Sequence, residues 1–306
     1  MSRLVNVGNV VIDIVMYLPE LPARGGDMIA SASQVVPGGG MNVMISAVRQ
    51  GLPTAYGGMH GTGPFGDLAR REMRAAGIEL LQPVHPGKDT GFDVALVEDS
   101  AERTFATSVG ADGELGAADL ARITVLRTDF VYVSGYGLVH EVNGPALADW
   151  LGTIDPAATV MFDPGPLVAD IPAPVLDAVL ARTDWFSANQ REAGLLTGAV
   201  DPFSAARALA KRIDAGAVVR TGPHGCVLAA PRHAPEEIGG FAVTAVDTNG
   251  AGDAHVGAFV AGLAAGLTSS AAALRANAAA ALAVTKRGPT TAPDRYEVDV
   301  LLSGAS

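Results

Sequence analysis

Short apolar runs alternate with alanine-rich helical runs along most of this chain, and that alternation limits the fold more than any other feature. Leu4–Val7, Phe130–Ser134, Thr159–Phe162, Asp184–Ser187 and Ala217–Arg220 read as strands. Asn42–Gln50, Pro64–Ala76, Gly144–Ile154, Pro202–Ile213, Gly252–Leu267 and Ser270–Lys286 read as helices. The strands are apolar on both faces instead of alternating with polar residues. Such runs predict an α/β fold, with a mostly parallel sheet buried between two helix layers. At 306 residues, 49% hydrophobic and 17% charged, the chain has ample material for that core.

Two segments break the rhythm. Residues 13–37 are punctuated by Pro and Gly and carry little helical pattern. Residues 90–109 hold two strand-like runs, Phe92–Val97 and Arg103–Ser108, around a polar turn at Glu98–Glu102. A structureless loop of such length is unusual in a compact domain. Both segments are therefore expected to form a small β-structured flap over the sheet, with surface loops and an edge hairpin as the alternative.

The formal net charge of −11, with Lys88, Lys211 and Lys286 as the only lysines, leaves no basic patch for nucleic acid. Acidity does not exclude an anionic substrate, because backbone N–H groups bind phosphate locally. Cys226 is the single cysteine, which suits a reducing, cytoplasmic setting. The N-terminal residues lack a signal-peptide pattern. The longest apolar stretch, Val256–Leu267, is too short and Gly-rich to span a bilayer, so no membrane role is expected.

The most informative string is Asp247-Thr248-Asn249-Gly250-Ala251-Gly252-Asp253. A strand-like run, Phe241–Val246, precedes it. Val256, Phe259, Val260, Leu263 and Leu267 follow at helical spacing. The glycines therefore fall at a turn into a helix, and Asp253 falls in its first turn. N–H groups at a helix start lack intrahelical partners and carry partial positive charge. Glycine lets a phosphate approach that backbone closely. A γ-phosphate can rest on Ala251, Gly252 and Asp253, while the Asp253 carboxylate accepts a proton from an attacking hydroxyl. The plain alternative is a first-turn acid that only stabilises the helix dipole.

The string resembles the C-terminal signature of the ribokinase-like, or pfkB-type, carbohydrate kinases, Asp-Thr-x-Gly-Ala-Gly-Asp. Every fixed position is present, and His255 stands where the family often has an aromatic. The resemblance runs through nearly the whole chain. Gly8–Asp13 resembles the family's opening strand, whose terminal Asp holds sugar hydroxyls. Pro37-Gly38-Gly39-Gly40-Met41-Asn42 resembles its Gly-Gly-x-x-x-Asn substrate motif, with Pro37 in place of the first glycine. Asn189-Gln190-Arg191-Glu192 resembles its Asn-x-x-Glu motif. Thr221-Gly222-Pro223-His224-Gly225 resembles its nucleotide loop, and Asn277 matches a position lining the adenine pocket.

The resemblance implies a ribokinase-like three-layer α/β/α core over residues 1–12, 38–89 and 110–306, with a β lid over 13–37 and 90–109. It implies transfer of phosphate from ATP to a small sugar. Asp253 would be the base, with Gly250, Ala251 and Gly252 forming the anion site. Asp13, Gly38, Gly39, Asn42 and Arg103 would hold the acceptor. Asn189, Thr221, Gly222, Gly225 and Asn277 would hold the nucleotide, and Glu192 would order Mg²⁺ through water. It also implies a homodimer joined by lid strands. A nucleoside acceptor, with Tyr17, Met16 and Phe92 as its wall, and a non-catalytic sugar or nucleotide sensor are the alternatives. Asn42 as a helix N-cap, Asn277 as a packed polar residue and Asp163 as part of an Asp-Pro-Gly turn are the structural readings.

Gly61-Thr62-Gly63-Pro64-Phe65-Gly66 is a literal Gly-x-Gly-x-x-Gly, yet no acidic residue closes a second strand about twenty positions on. No P-loop, protein-kinase or nucleophile-elbow motif occurs, and the six histidines lack metal-ligand spacing.

Overall fold

The computed structural model describes residues 2–100 and 102–304. Met1, Ala101, Ala305 and Ser306 lie outside the described residues, so the extreme ends of the expected core and one residue of the Glu98–Glu102 turn are not described.

The strands are β1 (Leu4–Asn6), β2 (Ile12–Leu18), β3 (Ala32–Pro37), β4 (Thr54–Tyr56), β5 (Glu79–Leu80) and β6 (Phe92–Glu98). They continue with β7 (Arg103–Ser108), β8 (Phe130–Ser134), β9 (Thr159–Asp163) and β10 (Trp185–Asn189). β11 (Gly216–Arg220), β12 (Gly225–Ala229) and β13 (Glu236–Gly239) close the series. The helices are α1 (Gly40–Arg49), α2 (Pro64–Ala75), α3 (Ala117–Leu120), α4 (Gly135–Leu138), α5 (Asn143–Leu151) and α6 (Ala173–Arg182). After them come α7 (Gln190–Thr197), α8 (Pro202–Ile213), α9 (Ala251–Ala264), α10 (Ser269–Ala283) and α11 (Arg295–Leu302).

A nine-stranded sheet runs in the order β13-β12-β11-β10-β9-β8-β1-β4-β5. It is parallel from β5 to β11, and only β12 and β13 are antiparallel. Side chains alternate between its faces, and both faces are covered. Val5, Val131, Val133, Phe162 and Val219 join Leu147, Leu176 and Leu209 of α5, α6 and α8. Leu4, Tyr132, Met161 and Val218 face the other way, onto α1, α9 and α10. That is why these strands carry no polar face for periodicity to detect.

The C-terminal ends of the parallel strands are polar: Asn6, Ser134, Asp163, Asn189 and Arg220 end β1, β8, β9, β10 and β11. In an open parallel sheet this edge forms the ligand crevice.

A second sheet, four strands in the order β3-β2-β6-β7, stands apart from the first. Its strands fall within the two segments that break the helical rhythm, except that β2 begins at Ile12. Asp13 therefore lies in the second sheet and not at the end of the opening strand, which stops at Asn6. One further strand expectation is corrected. Phe241–Val246 forms no strand; β13 ends earlier, at Gly239, and Phe241 onward is an irregular segment. Its apolar residues line a cavity and pair with no strand, so hydropathy alone misassigned them.

Among the described residues, no helix is long and apolar enough to cross a membrane.

Candidate active site

The site grows from the start of α9. Gly250 precedes the helix in the left-handed conformation, φ 74°, and a Cβ there would lie 2.3 Å from the Pro289 carbonyl oxygen. Glycine is thus required both by conformation and by space. No side chain caps the helix, and the N–H groups of Gly252 and Asp253 donate to no group among the described residues. These free donors make an anion site.

Helix α1 holds Asp253 in place. A Cβ on Gly257 would lie 2.4 Å from the Val43 carbonyl oxygen and 2.5 Å from Ser46 Cβ, so α9 approaches α1 as closely as backbones allow. Ser46 Oγ donates to the Ala254 carbonyl at 2.7 Å. One turn earlier, Asn42 Nδ2 donates to Asp253 Oδ2 at 3.1 Å. Asn42 is not a cap; that position belongs to Gly39, which has φ 59° and lies against the Asn9 carbonyl. Gly40 is tied by its N–H to the Asn9 carbonyl at 2.7 Å and by its own carbonyl to Asn6 Nδ2 at 2.9 Å. Gly38 packs directly on the Asp13 carboxyl, and any Cβ there would overlap it. Asp13, Gly38, Gly39, Asn42 and Asp253 thus converge from three elements.

The protein around it pushes the Asp253 carboxyl up to about 7, chiefly by desolvation. Asp163 and Glu192 add to the rise, while Asn42 and Arg220 oppose it. A carboxyl poised there is suited to take a proton near neutral pH.

Beyond α9 opens a cavity of about 870 Å³. Asn189, Gly222, Gly225, Ala251, Gly252 and Asn277 line it, whereas Thr221 and Glu192 do not. Thr221 shapes the turn instead: its N–H donates to the Gly225 carbonyl at 2.8 Å. Asn277 contributes surface, but its polar atoms are engaged. Its Nδ2 donates to the Ile238 carbonyl at 2.9 Å and the Gly239 carbonyl at 3.1 Å, and its Oδ1 lies 3.1 Å from His255 Nε2. The packed-polar reading of Asn277 therefore describes its hydrogen bonds, and the pocket reading describes its position. His255 is buried, with its titration lowered to about 3 by desolvation first, so it is neutral and structural.

The sequence reading missed Arg220. It is the last residue of β11, its guanidinium lies under Gly252, and it lines the cavity. Its Nη1 donates to Asp163 Oδ2 at 2.7 Å and to Ser187 Oγ, and its Nη2 lies 3.6 Å from Glu192 Oε2. The signal was present: an arginine ends an otherwise apolar run, Ala217–Val219. Asp163 joins this network and also accepts from the Gly165 N–H at 3.1 Å, so it serves the turn and the site together. Asn189 and Glu192 form a capping box on α7. Glu192 Oε1 accepts no hydrogen bond from the described residues, which leaves one oxygen free for a metal-bound water.

Arg103 makes its contacts through Nη2, to the core. Its guanidinium spans from β7 to Asp247 and Thr248, joining the small sheet to the signature segment. The Gly61–Gly66 turn is closed to a dinucleotide. Asp89 accepts from the Phe65 and Gly66 N–H groups at 3.1 and 2.7 Å, filling the start of α2.

A helix start with free N–H donors, a buried guanidinium behind it and a poised carboxylate beside it suit a phosphotransferase with a hydroxyl acceptor. A model of the pfkB family of carbohydrate kinases matches residues 1–295. An uncharacterised sugar kinase, YegV, of Escherichia coli (strain K12) is 33% identical over 297 residues, covering 95% of this chain and 91% of that protein. An ATP-dependent ribose-1-phosphate kinase of Halopiger xanaduensis is 30% identical, covering 99% of each chain. The structure of a putative ribokinase II from E. coli in complex with ATP and Mg²⁺ superposes with a TM-score of 0.84 at 24% identity, covering 99% of this chain and 100% of that one. The chain belongs to the pfkB family of carbohydrate kinases and is a sugar or nucleoside kinase with the ribokinase fold.

Proposed function

We propose that this protein transfers the γ-phosphoryl group of ATP to a hydroxyl of a small neutral sugar. One observation carries the reading: Asp253 stands at the uncapped start of α9, next to the cavity-lining Gly252, and is bonded to Asn42 of the helix that begins beside Gly38 and Asp13. ATP occupies the cavity, with its γ-phosphate on the Gly252 and Asp253 N–H groups and over Arg220. The acceptor lies against Asp13, Gly38, Gly39 and Asn42. Its hydroxyl oxygen bonds to the γ-phosphorus, the bond from phosphorus to the β-phosphate oxygen breaks, and ADP leaves. Asp253 takes the hydroxyl proton.

The donor set fits Mg²⁺ held mainly by phosphate. No group of three or more His, Cys, Asp or Glu side chains forms a cage among the described residues, and Glu192 retains an unbonded oxygen. Glu192 and Asn189 would hold the ion through water, as Mg²⁺ favours. When bound, it neutralises charge on the phosphates.

The small sheet acts as the lid. Arg103–Asp247 and the Arg287 guanidinium, 5.1 Å over the Tyr17 ring, tie it to the core and exclude water that would hydrolyse ATP. β3 and β7 are its edge strands, and pairing of such edges supports a homodimer. The buried free thiol of Cys226 is compatible with the cytoplasm.

A neutral sugar is preferred to a nucleoside because Tyr17, Met16 and Phe92 assemble no wall for a base. Tyr17 is taken by Arg287 and by Gln34 Nε2, 3.3 Å from its hydroxyl. Met16 and Phe92 lie on the opposite face of the lid sheet from Asp13, and Phe92 packs on Phe65. The test is ADP release from Mg·ATP with neutral sugars, sugar phosphates and nucleosides. Turnover with a neutral sugar supports the reading, and turnover confined to nucleosides overturns it.

A further inference from the structure

The lid sheet presents a second carboxylate that the proposed reaction does not use. In the parallel pairing of β2 with β6, Asp13 stands beside Asp93. Residues in register share a face, and the face recurs every second residue. The same face therefore carries Tyr17 and Arg103, which contact Arg287 and Asp247 of the core. Those contacts fix its direction: Asp13 and Asp93 look into the cleft towards Asp253.

The groups there are only partly satisfied. Asp13 is 7% exposed, and its carboxyl lies close enough to that of Asp93 for the two to share a hydrogen bond. Asp93 Oδ1 and Asn42 Oδ1 are buried without partners. Buried polar atoms are normally paired, so two unpaired acceptors beside Asp13 call for a ligand that brings donors. Burial raises Asp13 to about 8, with the charges of Asp93 and Asp253 adding to the rise, and raises Asp93 to about 6 against the hydrogen bond from Asp13. A proton taken up by the pair lies between the two carboxyls, which leaves Asp93 Oδ1 to accept from a ligand hydroxyl.

The cations near this face are engaged: Arg220, behind Gly252, is paired with Asp163 and Glu192. Arg103 and Arg287 belong to the Tyr17 end of the face, four residues along β2, or about 13 Å away at the strand rise.

We propose that Asp93 is a specificity-determining residue that, with Asp13, selects an uncharged sugar carrying neighbouring hydroxyls and rejects sugar phosphates and sugar acids. This rests on the kinase reading of the cleft, and it is tested by binding, which needs no turnover. Neutral pentoses and hexoses, and their phosphates, are titrated calorimetrically into the full-length protein with a non-hydrolysable Mg·ATP analogue. Wild type, Asp93→Ala and Asp93→Asn are compared, with thermal melts confirming that each variant is folded. The wild type should bind a neutral sugar and discriminate against its phosphate. Asp93→Ala should weaken the neutral sugar by roughly 10- to 100-fold, as loss of a charge-assisted hydrogen bond does. Affinity for the nucleotide analogue should not change. Asp93→Asn, which keeps the shape and removes the charge, should narrow the gap to the sugar phosphate. Unchanged sugar affinity in both variants, a wild-type preference for phosphates, or no binding of any neutral sugar would overturn the assignment. Sugar binding without phosphoryl transfer would instead count against the kinase reading alone.

Discussion

Replacing Asp253 with Asn should make the protein more stable and nearly inactive. Burial raises this carboxyl from 3.8 to about 7. The folded state therefore holds a proton that the unfolded chain releases between about pH 4 and pH 7, and wild-type stability falls as pH rises through that window. At 1.36 kcal/mol per pKa unit, the cost of the charged carboxylate is about 4 kcal/mol at pH 8 and about 2 kcal/mol at pH 5. Asn removes that cost at both pH values, and its amide oxygen can still accept from Asn42 Nδ2. Urea unfolding should show the variant ahead of wild type at pH 8, with a smaller lead at pH 5. Its kcat should drop by roughly 100- to 10,000-fold, the contribution of a general base. A variant less stable than wild type at pH 8, or one that keeps its turnover, would refute the reasoning.

The same titration predicts the pH profile: kcat/KM should fall as pH drops through about 7, where Asp253 takes up its proton, and a flat profile between pH 5.5 and 8 would count against it. Gly257→Val should force α1 away from α9, costing about 1–3 kcal/mol by overpacking and lowering kcat by displacing Asn42; denaturation and kinetics of the one variant test both. Arg220→Gln should leave Asp163 and Glu192 without their cation, losing about 3–5 kcal/mol and weakening ATP; unchanged stability would contradict the network.

The layered core was legible because its strands, buried on both faces, read as continuous apolar runs. Pro202–Ile213 and Phe130–Ser134 were read to the residue. β4 and β5 were not found, being two or three residues long and without a pattern of their own. Phe241–Val246 misled because a cavity wall needs apolar residues as much as a strand does. Within the site, the Gly250–Asp253 turn was readable because helix-start chemistry is local. Arg220 and Asp93 were not, since each acts through neighbours distant in sequence: Asp163 and Glu192 for one, Asp13 for the other. A charge closing or interrupting an apolar strand was the available signal in both. Arg103 shows the converse, for its charge was visible but its partner, Asp247, was not.

The most direct test follows the phosphorus. Wild-type protein, Mg·ATP and a neutral sugar are monitored by phosphorus NMR. The account predicts a new sugar phosphomonoester resonance growing in step with ADP and absent when the sugar is omitted. ADP formed together with inorganic phosphate, whether or not a sugar is present, would contradict it.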